Sequence, residues 1–449
     1  MPIATLSNSA DYKSLTDGQK LVYQGVLTGD NILITGGGGV GKSHLIRFLS
    51  ENIRDLVLTA STGIAALNIC GQTLDSFMGF NQHTTDIQSA RKVHPHTRQK
   101  LKKLKILLID EVSMVRCDKL DMVDARLKAV MKNDLPFGGV QVIFVGDFCQ
   151  LAPVVKEGSE EALALKAAYG NRVFSFEAKS YQMADVKTFV LFEYVRQDNE
   201  AQKEILRHLR LGKEVDKCVE YINQLATGEE TQNALRICKT NRKVNQINEV
   251  KFNQLQGDVF TYRAEFENDF KPSMAPVPSV INLKINTRVL LCANNQSANY
   301  FNGDLGTVVG FTSKAVKVKL DRGGYAHVEA FEFKSYAYSG KEKGLEKAHV
   351  GSFKQIPIKL GYAITAHKSQ GMTLDEAVVD LGGNFNADGL TYVVMSRVRS
   401  FRGLKLARPL TVRDVQTSQK AVDFTYYVSM QAMERAKLEL SLVRLASAA

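Results

Sequence analysis

The sequence predicts an α/β chain built on parallel sheets, with a β-rich insertion, and three observations carry that expectation. Over residues 30–150, short apolar runs alternate with helix-compatible segments, the pattern of a parallel sheet with crossover helices. Residues near 185–255 and 355–410 repeat that texture and can build a second α/β domain. Between them, about 256–354, Asn, Gly and Lys become common, and strand-like runs follow one another without long helices. That reads as a small β-barrel-like insertion.

Taken in order, strands are expected at 31–35, 56–59, 106–109 and 140–145, and in the insertion at 287–292, 305–310, 316–320 and 327–331. The stretch 411–449 reads as helix throughout. A first domain is expected over 1–183, carrying a small insertion at about 78–102. The second would combine 184–255 with 355–449 around the β-rich segment 256–354.

With 449 residues, about three domains fit. Lys and Arg exceed Asp and Glu by 58 − 47 = 11, a surplus suited to a phosphate-bearing partner. The six cysteines (Cys70, Cys117, Cys149, Cys218, Cys238, Cys292) form no Cys-x-x-Cys pair, which argues against a zinc or iron–sulfur site and fits a reducing compartment. No run of about 18 apolar residues is present, so no membrane partner is expected. Motifs begin almost at once, and neither a signal-peptide core nor an Arg-rich transit pattern precedes them. A cytoplasmic protein of bacterial or viral source is expected, or a nuclear or mitochondrial one if the source is eukaryotic.

Residues 36–43 read GGGGVGKS, between an apolar strand and a helix-compatible run. In that context the spacing G-x-x-x-x-G-K-S is a phosphate cradle. Gly36, Gly37, Gly38, Gly39, Val40 and Gly41 would turn backbone N–H groups toward phosphate oxygens, and the helix start through His44 would add a positive dipole end. Lys42 would reach the β- and γ-phosphates of ATP, and the Ser43 hydroxyl would hold Mg²⁺.

A buried strand in KILLIDEVSM ends in Asp110-Glu111, where open α/β sheets place ligands. Asp110 can hold Mg²⁺ through water, and Glu111 can orient or deprotonate the attacking water. Gln150, in GDFCQL, follows the strand 140–145 and could touch the γ-phosphate, or Asp147 and Gln150 could cap the next turn. Gln19, in LTDGQ, could read the adenine edge with one donor and one acceptor, or lie exposed on a helix.

Further along, Tyr194-Val195-Arg196-Gln197, AITAHKSQGMTL (363–374) and YVVMSRVRS (392–400) occur in order. Together with Gln19 and GDFCQL they resemble the motif ladder of superfamily-one helicases. The segment SMVRCDKLDMVDARLKAVMKNDLPFGGVQVIFVGD (113–147) resembles the signature of the Pif helicase family, and FNGDLGTVV (301–309) its barrel insertion. The resemblance covers roughly 15–410, and RecD-like and Dda-like helicases rank second.

It implies two RecA-like domains with ATP between them, 5′-to-3′ movement on single-stranded DNA and preferential action on DNA ends or structured DNA; the 78–102 insertion is expected to hold any wedge, and a monomer that opens duplex or structured DNA is expected. Carried over by motif, Gln370 with Gly371 would face the nucleotide, and Arg196 and Arg397 would stabilise charge on the transferred phosphoryl group. Two positions depart from the family: Ala152 stands before Pro153 where two prolines are usual, and Thr73-Leu74-Asp75-Ser76 replaces Thr-Ile-His-Ser.

TASTGIAA (59–66) resembles a backbone-contacting loop, so Thr62 and Gly63 are expected on DNA, as are His367, Lys368 and Ser369. Phe77, Phe80 and Phe148 are candidates for stacking on bases, against the alternative of core packing. The basic run 98–105 reads as a solvated helix face. An ATP-switched clamp or translocase without unwinding, or an RNA track, stays open. GTP specificity is disfavoured because no Asn-Lys-x-Asp motif is present.

Overall fold

The computed structural model describes residues 10–155, 158–193, 197, 199–226, 234–312, 314–341, 344–382 and 387–446. Arg196, with Tyr194 and Val195, lies outside them. The chain divides into two compact units: 1–195 with 336–348 and 417–449, and 196–335 with 349–416.

The first unit is organised on six parallel strands, β1 (Ile32–Gly36), β2 (Leu56–Ala60), β3 (Gln72–Thr73), β4 (Ile106–Asp110), β5 (Gln141–Val145) and β6 (Lys187–Leu191), in the order β3-β2-β4-β5-β1-β6. These strands are nearly all-apolar because both faces are covered. Ile32, Ile34, Leu58, Leu108, Ile143 and Val145 enter one core, and Leu33, Val57, Leu107, Ile109, Val142 and Phe144 the other. Helices α1 (Asp17–Leu27), α2 (Lys42–Asn52), α3 (Gly63–Asn68), α4 (Leu74–Met78), α5 (Ile87–Arg91), α6 (Pro95–Leu101) and α7 (Cys117–Met131) follow in the same unit.

In the second unit, β7 (Leu235–Cys238) precedes the β-rich segment. That segment holds β8 (Phe260–Arg263), β9 (Glu265–Asn268), β10 (Val280–Leu283), β11 (Arg288–Leu291), β12 (Leu305–Phe311), β13 (Ala315–Leu320), β14 (Tyr325–Glu329), β15 (Phe331–Lys341), β16 (Gly344–Gln355) and β17 (Ile358–Leu360). They pair as β10-β8, β14-β13-β12-β11-β17 and β15-β16-β9. The closing strands β18 (Ala363–Thr365), β19 (Ala377–Asp380) and β20 (Leu404–Leu406) complete a second parallel sheet, β18-β7-β19-β20. The fold is thus α/β with parallel sheets in both units, as expected.

The boundaries differ from those expected in four places. β6 bonds β1 along its whole length, from Ile32↔Lys187 to Gly36↔Leu191, so the first unit runs through 195 and does not end at 183. The helix Gln419–Ala446 belongs to the first unit, because Ala421, Phe424 and Val428 pack into its core. Residues 336–348 also belong there, through Tyr338, whose hydroxyl accepts the Leu58 N–H at 3.0 Å and whose ring meets Phe77 edge-on. β17 extends the β-rich part beyond 354 by pairing with β11. Among the described residues, no helix is long and apolar enough to cross a membrane.

Candidate nucleotide and nucleic-acid site

The motif loops of the first unit gather at one edge of its sheet. GGGGVGKS follows β1, GDFCQ follows β5, Asp110-Glu111 ends β4 and TASTG follows β2, and these four strands are neighbours in the order β2-β4-β5-β1. All are parallel, so all four loops leave at carboxyl ends, where such sheets bind ligands.

Backbone geometry explains the glycines of the first loop. A Cβ at Gly36 would stand 2.4 Å from the Leu191 carbonyl oxygen, and Gly41 adopts a left-handed φ of 80° as the N-cap of α2. That cap supplies no side-chain acceptor, so the first N–H groups of α2 are left to other partners. Lys42 Nζ donates to the Gly36 and Gly37 carbonyls at 2.7 and 2.9 Å, which folds the ammonium over the loop. The Val40 side chain is buried in the core, so only its backbone is available to a ligand. Ser43 is exposed at the start of α2 and His44 is half-buried beside it.

Gln19 is buried, not exposed on a helix face. Its Oε1 accepts the Thr16 N–H at 3.0 Å, while its own N–H donates to Thr16 Oγ1 at 3.3 Å, a capping box for α1. Its Nε2 donates to the Gly41 carbonyl at 3.2 Å. Gln19 therefore ties α1 to the phosphate loop. The Thr-x-x-Gln spacing of LTDGQ is the signal that marks this cap.

At the end of β4, burial and the adjoining Glu111 push the Asp110 carboxyl up to about 7, against the pull of Lys42. Glu111 sits at φ 51° and ψ 46°, left-handed backbone that is uncommon for a residue with a long side chain. Asp147 is buried and accepts the Cys149 N–H at 3.2 Å and Gln150 Nε2 at 3.4 Å. The turn-capping alternative for this pair is the arrangement present.

Several expected nucleic-acid residues have other partners. Thr62 caps α3, its Oγ1 accepting the Ala65 N–H at 3.3 Å, and Gly63 opens that helix. Phe77 is fully buried against Tyr338 under the Lys100 ammonium, and Phe148 lies in an aromatic cluster with Phe174, Phe176 and Phe424. Neither ring can stack on a base without leaving the core, so core packing is the alternative present for both, and the expectation of Phe77 on DNA is corrected. Phe80 is partly exposed and holds Arg126 over its face at 4.5 Å. Lys100 corrects the reading of 98–105 as a solvated face: it is buried, and burial pushes its ammonium down to about 8.

In the second unit the later motifs are knitted together. Leu374 N–H donates to the Arg397 carbonyl at 2.9 Å and Arg399 N–H to the Leu374 carbonyl at 3.0 Å. Gln197 Nε2 donates to the Ser396 carbonyl at 3.3 Å. Arg397 is buried, donating through Nε to the Val393 carbonyl at 2.8 Å and through Nη2 to Ser396 Oγ at 2.5 Å. His367 and Lys368 are exposed, whereas the buried Ser369 hydroxyl donates to the Ala366 carbonyl at 2.7 Å and so is a turn cap, not a free DNA contact. Gln370 Nε2 is buried without a hydrogen-bond partner among the described residues, beside Gly371 at φ 77°.

Motif reasoning missed Arg126. It is buried and donates to the Met78, Ala90 and Lys92 carbonyls at 2.6, 2.7 and 3.2 Å, pinning the 78–92 segment to α7. Its position inside the 113–147 signature was the available signal.

Comparisons with known proteins show what the chain as a whole is similar to. The model of the PIF1-like helicase family matches residues 14–235. The human protein named ATP-dependent DNA helicase PIF1 is 33% identical over 433 residues, 92% of this chain and 64% of its own length. The chain thus spans somewhat less than two thirds of that relative. The crystal structure of Bacteroides sp Pif1 in complex with ADP-AlF4 superposes with a TM-score of 0.86 at 28% identity, covering 93% of this chain and 97% of that one. Bacteroides Pif1 bound to ssDNA gives a TM-score of 0.65 at 28% identity, over 92% and 96%.

Proposed function

This chain belongs to the PIF1-like helicase family, and from that premise we propose that it is an ATP-dependent DNA helicase that moves 5′ to 3′ on single strands and opens duplex or structured DNA. The observation that carries this reading is the gathering of four motif loops at the carboxyl ends of β2, β4, β5 and β1. That one edge offers a phosphate loop, paired carboxylates, a buried amide and a backbone-rich loop suited to nucleic-acid phosphates.

For ATP, the loop 36–43 would hold the phosphates through backbone N–H groups, with Lys42 exchanging its two carbonyl partners for phosphate oxygens. The raised Asp110 carboxyl beside Glu111 fits a divalent cation, which would offset the repulsion between the two acids. Asp110 and the Ser43 hydroxyl are the groups proposed to hold Mg²⁺, and the ion would supply charge neutralisation at the phosphates. Glu111 would take the proton of the attacking water as the water oxygen bonds the γ-phosphorus and the bridge to ADP breaks. Gln370, Arg196 and Arg397 are proposed to sense and stabilise the transferred phosphoryl group, which the orphaned Gln370 amide supports for its own part.

His367 and Lys368 are proposed as exposed contacts to the DNA backbone, and the 78–102 segment as the strand-separating wedge. A reducing, cytoplasmic setting is proposed for the chain. The working unit is proposed to be a monomer.

The test is strand displacement with ATP and Mg²⁺ on partial duplexes bearing a 5′ or a 3′ tail, with Lys42→Ala as blank. Opening of the 5′-tailed substrate alone is expected. Single-strand-stimulated ATPase without displacement of either substrate would leave a translocase or clamp in place of a helicase.

A further inference from the structure

We infer that Ser175 is a positioning residue for Glu111, and that Lys420 of the C-terminal helix braces it through Glu177. The inference rests on the reading of Glu111 as the group that handles the attacking water.

Glu111 holds a left-handed backbone conformation, which persists only where neighbouring groups impose it. The turn that follows, Val112–Met114, is closed by Met114 N–H to the Glu111 carbonyl and Val115 N–H to the Val112 carbonyl, each at 3.0 Å. Two groups distant in sequence fix that turn in space. Gly146 passes so close that a Cβ there would lie 3.1 Å from the Val112 nitrogen. The Ser175 hydroxyl donates to the Val112 carbonyl at 3.1 Å, and both residues are completely buried. The acceptor is the carbonyl of the residue immediately after Glu111, an oxygen that also takes the Val115 N–H, so loss of the Ser175 bond loosens the turn that carries the carboxylate.

Ser175 is itself held. It opens a short turn, Ser175–Glu177, whose Glu177 Oε2 accepts the Val173 and Phe174 N–H groups at 2.7 and 3.0 Å. The other carboxylate oxygen meets Lys420 Nζ at 2.8 Å. Cys117 N–H donates to the Val173 carbonyl at 2.9 Å, anchoring the turn to α7. A continuous path of bonded groups thus runs from Lys420 through Glu177 and Ser175 to Val112 and Glu111. It gives the C-terminal helix, which carries no recognised motif, a connection to the reacting carboxylate. A misdirected carboxylate affects the chemical step and not the grip on ATP, because the phosphate loop is built on other strands.

The experiment measures single-strand-stimulated ATPase of the full chain for Ser175→Ala, Glu111→Gln and the double variant, with melting temperature and binding of a fluorescent ATP analogue alongside. Ser175→Ala is expected to lower kcat by roughly tenfold to a hundredfold with KM for ATP nearly unchanged. In the Glu111→Gln background it is expected to cause no further loss, since both changes act through one carboxylate. Ser175→Cys, which keeps a weak donor, is expected to recover part of the rate. An unchanged kcat in Ser175→Ala, or an equal further loss in the Glu111→Gln background, would overturn the inference. Should Ser175→Ala fail to fold, Lys420→Ala serves at an exposed position: a kcat loss of about twofold or more, absent in the Glu111→Gln background, supports the path, and no loss overturns it. Full turnover in Glu111→Gln alone would defeat the reading of the site itself, a failure distinct from the failure of the positioning.

Discussion

The Ser61 amide donates to the Asp110 carbonyl at 3.2 Å, bonding the loop after β2 to the residue that ends β4. One loop is the proposed DNA contact and the other the proposed metal carboxylate, so a shift in either moves the peptide of the other. Thr62, next in line, caps α3. Thr62→Ala is expected to cost about 1 kcal/mol of stability and to raise the single-strand concentration needed for half-maximal ATPase. Thermal melting and a DNA titration check both parts, and an unshifted titration would detach this loop from DNA.

Gly36→Ala places a methyl carbon against the Leu191 carbonyl, with a buried Val40 methyl 3.0 Å away, at a left-handed φ of 153°. A destabilisation of roughly 1–3 kcal/mol is expected, together with weaker nucleotide binding. Denaturant unfolding followed by nucleotide titration measures the two effects separately.

Arg126→Ala strands three carbonyls of the 78–92 segment and removes one of the cations over Phe80, leaving Lys119. The expected loss is about 2–4 kcal/mol, with strand displacement falling more than single-strand-stimulated ATPase. Equal loss of both activities would contradict a wedge role for that segment.

Lys100 lies over the Phe77 ring at 4.6 Å, and its folded-state pKa of about 8 is below the ordinary 10.5. Between those values the unfolded chain binds more protons, so this group's contribution to stability rises with pH from about 8 to 10.5 and is unfavourable below that window. Lys100→Met, similar in shape and uncharged, is expected to stabilise the protein at pH 7 by on the order of 1–2 kcal/mol and to flatten that rise. Melting temperatures across the alkaline range decide it.

Arg397→Ala is expected to reduce DNA-stimulated turnover by about 10³ while nucleotide binding persists. Unchanged turnover in a steady-state ATPase assay would remove this arginine from the proposed chemistry.

The sequence alone determined the parallel-sheet architecture and the phosphate loop, because both rest on local patterns: strands apolar on two faces, and glycines spaced for backbone N–H groups to converge. Lys42, Ser43, Asp110 and Glu111 are proposed site residues on those local patterns, and the Pif resemblance adds Gln370 and Arg397 to the proposal. Tertiary structure alone decided what a side chain meets across distant segments. Phe77 and Phe148 look the same in sequence as stacking aromatics, and only packing against Tyr338 and Phe424 makes them core. β6 and the helix Gln419–Ala446 join the first unit because β1 offers an unpaired edge and the aromatic cluster an apolar face, neither of which is written near residues 187 or 419. Ser175 and Val112 are 63 positions apart, and a hydroxyl's partner at that separation is chosen by the closed fold, not by the spacing of the chain.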